Sequence, residues 1–362
     1  MSLNSVIIGS GCYIPKKIVS GKDFLTSEFY DENHQKIEKP NEEVINKFIE
    51  ITEIKERRYI EENELNSDMG TRAAKKAMEE AKINPESLDY IICATNMGEI
   101  DIYGNRSFMP SVSAIIKHKL GIRNLKCIPY DMIFGCPGWV EAFILANTLI
   151  KSRKGKNILV IGSDTLSRAI DPYDRDKMIF ADGAGAVILQ ATEEKHVGVI
   201  AENTLCFTGE EICYLEHSYT LNPHSESKNK YIRMKGRKIY EFALKNVPIA
   251  IKDTMDKAGL GIRDIDKILI HQANAKMDYA IISRLFKLYG IETYDHAISP
   301  MTIQRLGNSS VATLPTMYDL IKKGKFEGQN FKKGSYIVFT SVGAGMNINA
   351  IVYKFPKEKG EG

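Results

Sequence analysis

The sequence lacks the features that mark membrane, secreted and zinc-binding proteins. In its 362 residues no apolar run approaches the roughly 18 residues that a membrane-spanning helix needs. The first ten residues, MSLNSVIIGS, do not have the layout of a signal peptide. The six cysteines include no CxxC pair, which excludes the usual zinc-ligand spacing, and a chain this long does not need a disulfide framework. We therefore expect a cytoplasmic protein with reduced thiols and no bound metal.

An excess of charge of one sign is also missing. The formal net charge is only +3, so the composition indicates neither a nucleic-acid partner nor a membrane partner. The hydrophobic share of 43% is ordinary for a globular protein. A chain of this length can hold two domains or one duplicated fold.

Buried strands and amphipathic helices alternate along the chain, which predicts the α/β class. The predicted strands are Val6–Ile8, Ile91–Ala94, Ile158–Ile161, Ala186–Leu189, Ile268–Ile270, Tyr336–Phe339 and Ala350–Tyr353. The predicted helices are Met69–Lys82, Trp139–Ser152, Tyr240–Ala258 and Ser310–Lys323. Two polar stretches, Ser27–Lys47 and Thr208–Lys230, interrupt this pattern, and we expect surface excursions or lids there.

The sequence contains an internal repeat. Ala73–Ala94 and Ala250–His271 align without a gap at an offset of 177 residues, and both have the pattern of a helix, a turn and a buried strand. The first copy ends in a small residue, Ala94, and the second ends in His271. Two shorter pairs support the duplication: Gly135–Gly138 with Gly307–Ser310, and Gly183–Gly185 with Gly343–Gly345. We expect an amino-terminal half at 1–192 and a carboxy-terminal half at 193–362.

Cys136 is the best candidate nucleophile. It lies in the segment Gly-Cys-Pro-Gly, where a strand is followed by a helix, and Pro137 suits a first helical turn. The field of a helix amino terminus stabilises a thiolate, so we expect a lowered thiol pKa and attack on a thioester without a dedicated base. A small residue packed at a tight corner is the alternative explanation.

His271 and Asn308 lie at corners related to that of Cys136. A single histidine after a strand is often a core residue, and an asparagine before a helix is often an N-cap. The joint occurrence of the two with Cys136 at the ends of related elements favours a catalytic arrangement of cysteine, histidine and asparagine.

At these residues the sequence resembles β-ketoacyl-acyl carrier protein synthase III, a condensing enzyme of the thiolase superfamily. The resemblance runs nearly end to end, and the motifs HQAN (His271–Asn274) and GNSS (Gly307–Ser310) are its most specific parts. Its other motifs are Ile54–Arg58, Gly162–Leu166, Asp171–Arg175, Phe180–Gly185 and Gly343–Gly345. The resemblance implies a duplicated, five-layered αβαβα fold, a homodimer and no cofactor.

The resemblance also implies roles for the candidate residues. Cys136 would accept the acyl group, and His271 and Asn308 would stabilise the enolate that forms when a malonyl thioester loses CO₂. The backbone N–H groups of Cys136 and Ala344 would form the oxyanion hole; the family usually has glycine at the position of Ala344. Acyl-coenzyme A and acyl carrier protein would be the partners, with coenzyme A contacts carried over as Arg175, Gly236, Tyr240 and Asn274.

Three positions depart from the family pattern. Lys47 and Ile51 replace an aromatic residue and an arginine that help to hold coenzyme A, and Met109 replaces a phenylalanine that enters the partner's acyl pocket. These changes predict a reshaped acyl pocket that favours primers longer than acetyl. The implied activity is decarboxylative condensation in fatty-acid synthesis. The alternatives are an acyltransferase or condensing enzyme of specialised metabolism that joins longer acyl chains, and a non-catalytic acyl-binding subunit.

Overall fold

The computed structural model describes residues 3–356. Within them lie eight α-helices: α1 Asn41–Thr52, α2 Asn66–Ala81, α3 Val112–Lys119, α4 Gly138–Lys151, α5 Gly236–Lys257, α6 Ala275–Lys287, α7 Ile303–Leu306 and α8 Thr313–Lys322. The same residues form fifteen strands: β1 Asn4–Tyr13, β2 Lys17–Ser20, β3 Glu56–Tyr59, β4 Tyr90–Ala94, β5 Glu99–Ile100, β6 Arg106–Ser107, β7 Ile128–Met132, β8 Asn157–Thr165, β9 Asp182–Thr192, β10 Gly198–Cys206, β11 Leu215–Ser218, β12 Tyr231–Met234, β13 Ile265–Ile270, β14 Tyr336–Gly343 and β15 Asn347–Lys354. The predicted strands and helices are confirmed, most with wider bounds, except that the helix predicted at Ser310–Lys323 begins with a 3-10 turn at Ser310–Ala312 and is α-helical only over Thr313–Lys322.

Two large mixed sheets organise the chain. The first has the order β1-β9-β8-β4-β7, with β4 parallel to β7 and β8 and with β9 antiparallel to its neighbours. The second has the order β10-β15-β14-β13, with β13 parallel to β14 and with β15 antiparallel to its neighbours. The strands of the first sheet end at Thr192 and those of the second begin at Gly198. The division into halves at 1–192 and 193–362 stays a prediction.

The sheets and helices stack in five layers. Helices α4 and α8 lie between the two sheets, in one core with strand residues from both. The aromatic rings of Trp139, Phe143 and Phe339 join α4 to β14 there, with centroids 5.5 to 6.0 Å apart. Helices α2 and α3 cover the outer face of the first sheet, and α5 and α6 cover that of the second. A helix packed between two sheets must be apolar on both sides, and α4 is. The predicted five-layered αβαβα fold is confirmed.

Strand register tests the sequence repeat. Helix α2 with β4 and helix α5 with β13 are the two copies of the long repeat, as expected. Ile91 pairs with Leu159 as its counterpart Ile268 pairs with Val338, so β8 corresponds to β14. Leu159 pairs with Ile188 and Val338 pairs with Val352, so β9 corresponds to β15.

This register contradicts the third repeat pair. It aligns Gly183–Gly185 with Asn347–Asn349 rather than with Gly343–Gly345, and it aligns Gly343 with Asp164. The pairing of the two Gly-Ala-Gly segments is therefore wrong by four residues. The first segment begins a strand, whereas the second ends one and turns into the next.

The two polar stretches differ in their outcome. Phe29 is only 1% exposed and packs with α1, so the expectation of a purely surface excursion at Ser27–Lys47 is wrong for its aromatic part. The stretch Thr208–Lys230 contains β11, which pairs with β12 as a hairpin, and both strands line a pocket that also includes Cys136. Arg233 of β12 forms ion pairs with Asp171 and Asp174 and anchors this hairpin. Among residues 3–356 no helix is long and apolar enough to cross a membrane.

Candidate active site

Cys136 lies between β7 and α4, as predicted. Strand β7 ends at Met132, and α4 begins at Gly138 after Pro137 as its N-cap. Gly135 has φ of +66°, and the N–H of Gly138 donates to its carbonyl at 3.0 Å, which closes a tight turn around the cysteine. A left-handed residue in such a turn favours glycine. The residue as a whole is half-buried and lines a pocket.

The predicted lowering of the Cys136 pKa is wrong. Burial raises the pKa of this thiol to about 11, and the negative charge of Asp164 acts in the same direction. A hydrogen bond from the Ser310 hydroxyl lowers the pKa but does not offset the burial. Desolvation disfavours the charged form of a buried thiol. Near pH 7 Cys136 is therefore a thiol, so as the candidate nucleophile it would lose its proton as a new bond forms.

The turn after β14 packs directly against Cys136. A Cβ on Gly343 would lie 2.7 Å from the backbone nitrogen of Cys136, and a Cβ on Gly135 would lie 2.6 Å from the backbone nitrogen of Ala344. Both positions therefore exclude any side chain. The approach brings together the two backbone segments that carry the predicted oxyanion donors, Cys136 and Ala344. An alanine at 344 is tolerated because its N–H, not its side chain, is the predicted donor.

His271 follows the last residue of β13. Its backbone N–H donates to the carbonyl of Thr340 at 2.9 Å, which places His271 beside β14. Thr340 is three residues before Gly343. The side chain is only 3% exposed, and burial lowers the pKa of the imidazole to about 4. Its Nδ1 atom has no hydrogen-bond partner among the residues that the structure describes. His271 is therefore a neutral imidazole near pH 7, with polar capacity left for a ligand.

Asn308 is held on both sides by the chain around β9. Its N–H donates to the carbonyl of Ile179 at 2.9 Å, and its carbonyl accepts from Ala181 at 2.8 Å. The Oδ1 atom accepts from the N–H of Ser310 at 2.8 Å, so the amide NH₂ is the group left to donate to a ligand. Ser310 and Cys136 line the same pocket, so Ser310 links Asn308 to the surroundings of the cysteine.

Cys136 lines a small apolar pocket of about 220 Å³. Its lining comes from the loop after β4, from residues beside β8 and β9, and from the hairpin β11–β12. The apolar lining residues are Met97, Ile133, Leu166, Phe180, Leu215 and Ile232. Glu216 and His217 of β11 close one side. The shape and polarity suit an acyl chain attached to the sulfur.

A larger cavity of about 960 Å³ lies between α1, the start of α5 and the start of α6. Four predicted substrate-binding residues line it: Arg175, Gly236, Tyr240 and Asn274. Lys47 and Ile51 face the same cavity from α1. Met109 lies outside both cavities and is 87% exposed, so within one chain it cannot contact an acyl group.

Sequence reasoning missed three polar residues close to the thiol: Ser310, Asn96 and Asp164. Ser310 and Asp164 stood within recognised motifs, but nothing in the sequence separated them from their neighbours. Asn96 follows Thr95 in a loop with no motif at all. Only the fold joins them into one hydrogen-bonded chain.

In a comparison with known proteins, both halves of the chain match models of one family. The model of 3-oxoacyl-[acyl-carrier-protein (ACP)] synthase III matches residues 130–205, and that of its C-terminal region matches residues 255–355. The β-ketoacyl-[acyl-carrier-protein] synthase III of Clostridium acetobutylicum is 35% identical over 98% of this chain and 100% of its own length. The enzyme of that name from Aquifex aeolicus is 31% identical over 98% and 100%.

A solved structure agrees with these matches. The crystal structure of 3-oxoacyl-[acyl-carrier-protein] synthase III from Aquifex aeolicus VF5 has a TM-score of 0.77 at 30% identity, and it covers 97% of this chain and 100% of its own. Identity and coverage at this level, together with the fold, establish the relationship. The chain belongs to the β-ketoacyl-[acyl-carrier-protein] synthase III family of condensing acyltransferases.

Proposed function

We propose that this protein catalyses the decarboxylative Claisen condensation of an acyl group, carried on Cys136, with the malonyl thioester of acyl carrier protein in fatty-acid synthesis. The observation that carries the proposal is the close packing of Cys136 against the Gly343–Ala344 turn, on a pocket also lined by Ser310, which is hydrogen-bonded to Asn308. We assign His271 to the same site, and its backbone bond to Thr340, three residues before Gly343, supports this assignment.

The first half-reaction transfers the acyl group to the enzyme. The sulfur of Cys136 attacks the thioester carbonyl, and the backbone N–H groups of Cys136 and Ala344 donate to the oxyanion. The donor's thiolate leaves and takes up the proton that Cys136 loses. One thioester replaces another, so the step needs no oxidant, metal or added nucleotide.

The second half-reaction makes the carbon–carbon bond. The malonyl carboxylate leaves as CO₂, and His271 and Asn308 donate hydrogen bonds to the enolate oxygen that forms. The enolate carbon attacks the acyl-cysteine carbonyl, and the β-ketoacyl product keeps the malonyl carrier. The Cys136 thiolate is released and takes one proton from solvent. A neutral imidazole suits this role because the step needs a donor rather than a strong base.

The larger cavity supports a donor with a phosphate-bearing arm, such as coenzyme A or the prosthetic group of a carrier protein. Tyr240 and Ile51 offer an aromatic and an aliphatic surface there. The basic lining residues are Lys39, Lys47, Arg175 and Arg237, and the acidic ones are Asp31, Glu43 and Asp176. Basic side chains bind phosphate groups, so these residues support the binding of such an arm.

A homodimer in the cytoplasm is part of the proposal. Large apolar side chains near the acyl pocket are exposed in the single chain: Ile102, Tyr103, Phe108, Met109, Tyr130 and Ile133. Such a concentration of exposed apolar residues is typical of an interface between copies. In a dimer Met109 would reach the partner's acyl pocket, where a flexible side chain tolerates longer primers.

The test is intact-protein mass spectrometry after incubation with acetyl-, butyryl-, hexanoyl- and octanoyl-donors on coenzyme A and on carrier protein. We expect a single acyl adduct on the wild type and on Cys206→Ala, which removes an exposed thiol, and none on Cys136→Ala. Malonyl-carrier protein should then discharge the adduct and yield a β-ketoacyl product two carbons longer.

The alternatives give different products. An adduct on Cys136→Ala would contradict the nucleophile. A product formed from two acyl donors without malonyl would favour the specialised condensing enzyme. Absence of any adduct across the panel would favour the acyl-binding subunit.

A further inference from the structure

Asp164 is a buried carboxylate near the nucleophile to which the proposed mechanism gives no role. It lies near the end of β8 and is 0% exposed. Its Oδ1 atom accepts from the Thr95 hydroxyl at 3.0 Å and from the Asn96 backbone N–H at 2.8 Å. Its Oδ2 atom accepts from Nδ2 of Asn96 at 2.8 Å. Three hydrogen-bond donors therefore hold this buried carboxylate in one position.

The carboxylate fixes which way the Asn96 amide points. A side-chain amide has two N–H donors on nitrogen and an acceptor on oxygen. One N–H of Asn96 goes to Asp164, so the nitrogen lies on that side and its second N–H reaches Oγ of Ser310 at 3.1 Å. Ser310 therefore accepts from Asn96. Its own hydroxyl proton is left for another acceptor, and Cys136 lines the same pocket as Ser310 and Asn96.

Ser310 is held in an uncommon backbone conformation. Its φ is +52°, a left-handed value that a non-glycine residue seldom adopts. The next residue packs so closely that a Cβ on Gly162 would collide with the carbonyl oxygen of Val311. Strained residues persist where the surrounding structure fixes them, and they concentrate at functional sites. The chain thus imposes the position of the hydroxyl, and Asn96 imposes its direction.

We propose that Asp164 and Asn96 are positioning residues that keep Ser310 as a hydrogen-bond donor to the sulfur of Cys136. The hydrogen bond stabilises negative charge on the sulfur while the thiol proton leaves and again when the thiolate is released after condensation. This role rests on the proposed function for its use in catalysis, but the network and the thiol can be measured without any acyl donor.

The charge of Asp164 and its positioning role have opposite consequences. By itself a negative charge near Cys136 disfavours the thiolate, so a purely electrostatic Asp164 would slow the nucleophile. A positioning Asp164 would speed it through Ser310. Asp164→Asn separates the two effects because it removes the charge and also places an NH₂ group where several donors converge, which frees the Asn96 amide to turn over.

The experiment measures the rate of Cys136 alkylation by iodoacetamide against pH, with peptide mass spectrometry to assign the site. Ser310→Ala should raise the thiol pKa and slow alkylation at pH 7.5 roughly tenfold, the size of a hydrogen bond to a charged group. Asp164→Asn and Asn96→Ala should both move the rate in the same direction. Two matched controls lie outside the network: Ser309→Ala, beside Ser310, and Asp182→Asn, a buried carboxylate bound to Ser167 instead. Both should keep the wild-type profile.

The double variant provides the sharpest test. If Asp164 acts through Ser310, Asp164→Asn should not slow alkylation further in the Ser310→Ala background, and removal of the charge should even speed it. Equal slowing in both backgrounds would overturn the proposal, as would a faster or unchanged thiol in Asp164→Asn alone. If Asp164→Asn does not fold, a wild-type profile for Asn96→Ala overturns it equally. A normal alkylation pattern with no acyl adduct would count against the proposed function and leave the network standing.

Discussion

The neutral state of His271 leads to a quantitative prediction about stability and pH. Burial lowers its pKa from an ordinary 6.5 to about 4, so the folded protein resists a proton that the unfolded chain accepts. The sign follows from linkage: the stabilising contribution is complete above pH 6.5 and is lost as the pH falls toward 4. At pH 5 the unfolded chain is almost fully protonated at this position and the folded chain hardly at all. The difference costs about 2 kcal/mol of stability relative to pH 8.

The perturbation is His271→Gln, which keeps a polar side chain but cannot titrate. We would measure urea unfolding of wild type and variant at pH 8 and pH 5, at one protein concentration, because association of copies would add to the apparent stability. The pH 8 comparison gives the cost of the replacement itself. The drop in the free energy of unfolding from pH 8 to pH 5 should be smaller in the variant by about 2 kcal/mol. Identical drops in the two proteins would refute a neutral, buried His271.

Three further predictions concern the site itself. Asn308→Ala should slow condensation by roughly 10²–10³ while acyl-enzyme formation falls less, measured as separate half-reactions, since the acylation oxyanion depends on backbone donors; equal losses would contradict this division. Gly343→Ala should reduce acylation of Cys136 in the mass-spectrometric assay, because the added Cβ would lie 2.7 Å from the cysteine nitrogen. An unchanged rate would show that acylation does not depend on this close packing. Met109→Phe should shift kcat/KM toward shorter acyl donors, and wild type should prefer longer donors over acetyl-coenzyme A; an acetyl preference in wild type would refute the role given to Met109.

The fold was predictable from the sequence because its signals are local. Short apolar runs marked β8 and β14 as buried strands, and the internal repeats predicted that Cys136, His271 and Asn308 lie at related corners. Register was less accessible, since it depends on pairing between distant strands. The two Gly-Ala-Gly segments therefore looked equivalent in the sequence, although the strand register of the two halves offsets them by four residues.

The electrostatics of the site could not be predicted. The sequence shows that Cys136 precedes a helix, and hence the favourable field, but not how far the thiol is withdrawn from water. Burial outweighs the field and raises the pKa. For the same reason Asn96 carried no signal: its amide matters only because the fold places Asp164 on one side of it and Ser310 on the other.

The register between the halves has a consequence for how a duplicated chain becomes asymmetric. Asp164 and Gly343 are the same position in the two copies, and both affect Cys136. In the amino-terminal half this position is a carboxylate, which acts on Cys136 at a distance. In the carboxy-terminal half it is a glycine, whose backbone contacts Cys136. Neither amino acid can serve in the other's place, because a side chain at 343 would collide and a glycine at 164 would leave Asn96 without its acceptor. The difference at this one equivalent pair therefore gives the two halves different roles. A chain built from two identical halves would lack either the acceptor for Asn96 or the side-chain-free backbone beside Cys136.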